Sequence, residues 1–220
     1  MFRCWRCPSR VNKRECSRIA RSIADHTSEF RAHDNILYQP PVGYVLRGCI
    51  LSGTSDKDEF RAAPFALPLY AATNVVFLSL APIPHRPWPT WSQRDQNAQA
   101  SVLAYLKEGL LPFVSRFQSP NDVIANADGR LASQDLGMLR IIGYSFAFVG
   151  DLQKADEHLT RLIGQASQFE GYQHEIESAR SVLNAIRDGH AAVHDLLNTL
   201  TQRAIGSLKL EGLEGIVRIA

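Results

Sequence analysis

Apolar residues change rhythm near Trp91. Before it they come in short β-type runs broken by prolines, and after it they recur every three or four positions. The first rhythm predicts a modest amphipathic helix from Arg10 to about Asp25, carrying Val11, Ile19, Ala20, Ile23 and Ala24. Strands follow. Ile36, Leu37 and Tyr38 read as one, stopped by Pro40 and Pro41, which offer no N–H to a ladder. Val42 to Ser52 is apolar on both faces, the mark of a central strand covered on two sides. Gly53-Thr54-Ser55-Asp56 supplies turn chemistry, and Phe60 to Leu67 returns as the second arm of a hairpin, with Pro64 and Pro68 pushing it toward an edge. Val75 to Leu80 is β-branched and aromatic enough for a fourth strand. Connections this short assemble as an antiparallel meander.

From Ala81 to Trp91, Pro82, Pro84, Pro87 and Pro89 make an extended connector. Beyond it Ala98, Val102, Leu106, Leu110, Phe113 and Phe117 line one helical face, kinked or divided at Pro112. Ser119-Pro120-Asn121-Asp122 opens a short helix, ended by Asp128-Gly129. Ser133 is expected to cap the next, which carries Leu136, Leu139, Ile142, Phe146 and Val149 and turns at Gly150-Asp151. Ala155, Leu159, Leu162, Ala166 and Phe169 mark another, stopping near Gly171. A last helical pattern runs from Tyr172 to Leu200, broken at Asp188-Gly189. The expected fold class is therefore α+β: an N-terminal helix and a small antiparallel four-stranded sheet (residues 1–91), then a bundle of about five helices (92–220), packed as one compact unit.

Composition bounds the chemistry. A chain of 220 residues, 45% apolar and 21% charged, can bury a sizeable core, and a net charge of +2 argues against nonspecific nucleic-acid binding by the molecule as a whole. The basic excess sits in the first 31 residues, where eight Arg and Lys face Glu15, Asp25 and Glu29. It reads as a solvated helix, with an anionic partner or an organelle-targeting peptide as alternatives. Because no secretory-type apolar segment follows these arginines and no membrane span is visible, a cytoplasmic location is expected.

Complete catalytic or cofactor motifs are missing from the sequence. Cys4 and Cys7 form a CxxC pair at the start, with Cys16 and Cys49 at no recognised zinc spacing. His190 and His194 share a helical face but lack the glutamate of a zinc protease. Gly143-Tyr144-Ser145-Phe146-Ala147 misses the last glycine of a nucleophile elbow, and neither a phosphate loop nor a dinucleotide fingerprint occurs. No cofactor and no metal are expected.

Two features point to recognition. The connector His85-Arg86-Pro87-Trp88-Pro89-Thr90-Trp91, followed by Arg94 and Asp95, holds two indoles on a backbone of low conformational freedom. Arg47 is a lone charge in an apolar strand, expected to pair with a carboxylate or reach an edge, with a buried anion site as the alternative. The candidate binding residues are thus Arg47, His85, Arg86, Trp88, Trp91 and Arg94. In addition, Ile142-Gly143, Phe146, Gly150-Asp151, Ala155 and Leu159 give residues 136–163 a pattern that resembles one tetratricopeptide-type hairpin. That resemblance implies two antiparallel helices packed closely; a second copy at the family's period of about 34 residues is absent. The functional expectation is an interaction or accessory module that binds another protein in the groove between sheet and helices or on the exposed face of the hairpin. An enzyme with a dispersed site and nucleic-acid binding through the basic arm are the alternatives.

Overall fold

The computed structural model describes residues 12–56, 58–71, 80, 89–127 and 135–216. The chain divides into two compact units: Met1–Pro40, Arg47–Phe65 and Ala81–Ser115 form a sheet unit, and Pro41–Leu46, Ala66–Leu80 and Arg116–Ala220 form a helical unit. The division falls within the two longest strands, so each unit holds part of both.

Among the described residues five strands make an antiparallel sheet in simple sequence order: β1 (Arg31–His33), β2 (Ile36–Tyr38), β3 (Val45–Gly53), β4 (Glu59–Pro68) and β5 (Thr90–Ser92). The α+β class and the helical C-terminal part match expectation, whereas the strand count differs. Strands β1 and β5 are three residues each, too short to leave a periodic signal, and Asp34 reaches the left-handed region (φ 50°) in the tight turn between β1 and β2. Of the expected strand Val75 to Leu80, only Leu80 lies among the described residues. Strand β3 is central, as its two-sided apolar run requires, with Val45, Leu46, Cys49 and Leu51 fully buried. Pro64 lies beyond the stretch Glu59–Arg61 that β5 pairs, so its missing N–H costs β5 no ladder bond.

In the sheet unit, α1 (Lys13–Ala24) starts at Asn12, whose side chain accepts the Glu15 N–H at 2.9 Å. It buries Cys16, Ala20 and Ile23. A second helix runs as α2 (Ala98–Tyr105), a π turn over Leu106–Leu110, and α3 (Leu111–Val114). Its buried positions Ala98, Val102, Leu106, Leu110 and Val114 step by four, a spacing that creeps about 40° per step around an α-helix of 3.6 residues per turn. The wider π turn absorbs that drift and keeps the stripe on the core. It also explains why Val114, rather than the expected Phe113, is fully buried. These helices cover Leu37, Cys49, Leu51, Phe60, Ala62 and Trp91 of the sheet in one core.

The helical unit contains α4 (Pro120–Ala127), α5 (Leu136–Val149), α6 (Leu152–Ala166), α7 (Gln173–Asp188) and α8 (His190–Leu208). Asp122 Oδ2 accepts from the backbone N–H and hydroxyl of Ser119 at 2.8 Å each, while Ser119 Oγ accepts the Asp122 N–H, a reciprocal cap on α4. The cap of α5 is Asp135, which takes the Gly137 N–H; Ser133, expected in that role, lies outside the described residues. Gly150 closes α5 at φ 88°, a conformation costly for any side chain. Helices α5 and α6 pack so closely that a Cβ on Gly143 would stand 2.8 Å from Leu159 Cδ2. The segment after α8 folds back: Val42 N–H donates to the Glu214 carbonyl and Gly43 N–H to the Gly215 carbonyl, forming an isolated parallel bridge between Gly43 and Ile216. No helix among the described residues is long and apolar enough to cross a membrane.

Candidate functional site

The expected site residues fall in different surroundings. His85, Arg86 and Trp88 lie outside the described residues, as do Cys4 and Cys7. Trp91 sits in β5 opposite Phe60 and is only 9% exposed; its indole packs on Phe60 (5.8 Å between centroids) and Tyr105 (5.4 Å). A large aromatic on a three-residue strand gains most of its stabilisation from such core packing. Arg94, just beyond the strand, is exposed and bridges to Asp58 at 2.7 Å. Arg47 is buried on β3, and its Nε donates to the amide oxygen of Gln39 at 3.0 Å. Gln39 N–H in turn donates to the Arg47 carbonyl.

The histidine pair of α8 is part of an aromatic stack. His190 and His194 lie 6.5 Å apart, His194 Nδ1 is 2.9 Å from Asn198 Nδ2, and Phe148 meets His194, Tyr70 and Tyr44 in turn. Among the described residues no group of three or more His, Cys, Asp or Glu side chains could hold a metal ion. Ser145, the centre of the near-miss elbow, is fully buried, donates to the Ile141 carbonyl at 2.7 Å and shares a 2.8 Å hydrogen bond with the Tyr70 hydroxyl. Burial drives the Tyr70 phenol upward in pKa, so this pair is a packed structural contact.

An opening lies elsewhere in the helical unit: a cleft of about 500 Å³ walled by α5, α7, α8 and the 3-10 turn Leu69–Ala71. Each wall presents residues at helical spacing. Helix α5 supplies Arg140 and Tyr144, four apart. Helix α7 supplies His174, Ser178 and Ser181 on one face with Glu175 and Glu177 beside them. Helix α8 supplies Leu196, Leu200, Arg203, Ala204 and Ser207.

The electrostatic centre of the cleft is Arg140, a buried guanidinium with only 7% of the residue exposed. Its Nη1 is 3.9 Å from Glu175 Oε1. Burial lowers its proton affinity, against the raising influence of Tyr144 and Glu175, and a guanidinium keeps its charge at neutral pH all the same. Tyr144 and Ser178 share a 2.7 Å hydrogen bond between hydroxyls. Burial holds the Tyr144 phenol above its ordinary range, partly offset by that bond, so it is a protonated hydrogen-bonding group. The cleft thus combines a buried cation at Arg140, a second at Arg203, neutral hydroxyls, two carboxylates and an apolar strip. Such a mixture has the chemistry to hold and orient a charged ligand.

None of these cleft residues is among the candidate binding residues that the sequence suggests. The available signal was Arg140, the lone charge within the apolar helix Leu136–Val149. The same argument that flagged Arg47 in a strand applies to it. No known family model matches the chain, and neither a curated protein nor a solved structure matches it.

Proposed function

We propose that this chain is a binding module that receives a short segment of a partner protein in the cleft of its helical unit. The observation that carries this reading is the shape and lining of the cleft. Along α8 it extends from Leu196 to Ser207, roughly 16 Å at 1.5 Å per residue, which is about the length of five residues of extended chain. Its lining alternates apolar positions (Leu196, Leu200, Ala204) with polar ones (Arg203, Ser207), as a bound peptide with side chains of both kinds requires. The α5–α6 hairpin, similar to a tetratricopeptide-type unit, favours recognition over chemistry in the same way. The free, buried thiols of Cys16 and Cys49 support a reducing, cytoplasmic setting.

The test is position-specific photo-crosslinking in cells. A photoreactive residue at Ser207, which lines the cleft, is expected to capture a discrete partner band that Ser181→Trp removes. The same group at Gln202, which does not line the cleft, is expected to capture nothing comparable. Identical bands from both positions, or a Ser207 band indifferent to Ser181→Trp, would refute the cleft as the binding surface.

A further inference from the structure

We propose that the cleft recognises a carboxylate of the bound segment, taken by the Arg140 guanidinium and the Tyr144–Ser178 hydroxyl pair, and that Glu175 is the internal anion the ligand displaces. The inference rests on the reading of the cleft as a peptide site and adds the chemistry of what is held there.

Three observations lead to it. Arg140 is fixed by burial on a rigid helix, and its planar fork is shaped for two-pronged contact with a carboxylate. Its contact with Glu175 is 3.9 Å, well beyond the roughly 2.7–2.9 Å of a charge-assisted hydrogen bond. Glu175 also keeps 24% of its side chain exposed, so it can turn to water when another anion arrives. The hydroxyl pair supplies the remaining donor. Tyr144 and Ser178 have one hydroxyl hydrogen each, and the single bond between them uses one, which leaves the other for an incoming acceptor. Both hydroxyls lie one helical turn from the ion pair, Tyr144 four residues after Arg140 and Ser178 three after Glu175.

Arg140 and Arg203 balance Glu175 and Glu177 in the same opening, so one incoming carboxylate that replaces one carboxylate leaves the net charge unchanged. Leu196 and Leu200 stand on the opposite wall to take an apolar side chain next to the charged group.

The experiment titrates the isotope-labelled full chain with N-acetyl-leucyl-leucine and, separately, with its C-terminal amide, following backbone resonances of α5 and α7. The acid is expected to bind at the cleft at least about tenfold more tightly than the amide. Arg140→Met, which keeps apolar bulk, is expected to erase that difference. Glu175→Gln, which removes the competing anion, is expected to tighten binding of the acid by about twofold to fivefold. A merely structural Arg140–Glu175 contact predicts no such tightening, so this variant decides the matter even where Arg140→Met fails to fold. Equal binding of acid and amide, no cleft shift with either, or unchanged or weaker binding in Glu175→Gln overturns the carboxylate assignment. The underlying peptide-site reading fails separately, through the Ser207 crosslink.

Discussion

Among the described residues each unit of this protein buries one arginine, and the two are opposite in character. Arg47 sits inside the sheet on β3, with a strand on either side, and is only 5% exposed. Its Nε is occupied by Gln39 from the neighbouring strand. Arg140 is as deeply buried, yet it lines a cleft of about 500 Å³ and meets Glu175 only at long range. A buried charge alone therefore does not mark a binding site. The space beside it does, because a ligand needs somewhere to stand before it can compete for the charge.

The strongest way to break this contrast is Gly48→Ala. The intruding methyl meets backbone atoms of Leu37 and Tyr38 that cannot move without parting β2 from β3, so a loss of about 4 kcal/mol or more is expected in chemical denaturation. If Gly48→Ala were nearly neutral, the close pairing of β2 with β3 next to Arg47 would be contradicted. Alkaline pH is the next lever on the same unit. Burial pushes the Cys49 thiol up to about 12 from an unfolded value of 9.0, and Tyr105 likewise to about 12 from 10.0. Both groups hold their protons more tightly when folded. Their contribution is complete below pH 9 and is lost as pH rises toward 12, so stability should fall over that window. Cys49→Ala should flatten the fall, and an unchanged pH profile would contradict the assigned burial.

Smaller effects probe the helical unit. Gly143→Ala brings a methyl against the movable end of Leu159 and should cost about 1–2 kcal/mol, measured by thermal unfolding. Tyr70→Phe removes one buried hydrogen bond while Ser145 keeps its bond to the Ile141 carbonyl, at a cost of about 1 kcal/mol. Ser181→Trp adds far more volume than either, but into the open cleft, and should change stability by no more than about 0.5 kcal/mol. Marked destabilisation by that variant would mean that the space beside Arg140 is filled and not an open cleft.

The regular elements were legible because their residues carry a period. The run Val45, Leu46, Cys49, Leu51 announced β3, and Ile142, Phe146, Ala155 and Leu159 announced the α5–α6 hairpin with its turn at Gly150. What escaped was either too short or too dispersed. Strand β5 is three residues inside a proline-rich stretch, and its Trp91 gave the same local signal whether packed on Phe60 or facing a partner. The cleft draws Arg140, Ser178 and Arg203 from three helices dozens of residues apart, so no window of sequence contains it. Only the antiparallel return of successive helices makes them neighbours.

The bridge from Gly43 to Ile216 has a consequence for biogenesis. Residues near the start of β3 find their hydrogen-bond partners at Glu214 and Gly215, far later in the order of synthesis. On the ribosome the sheet unit can assemble early, while the five-helix portion must wait with Val42 and Gly43 unclasped until translation reaches position 216.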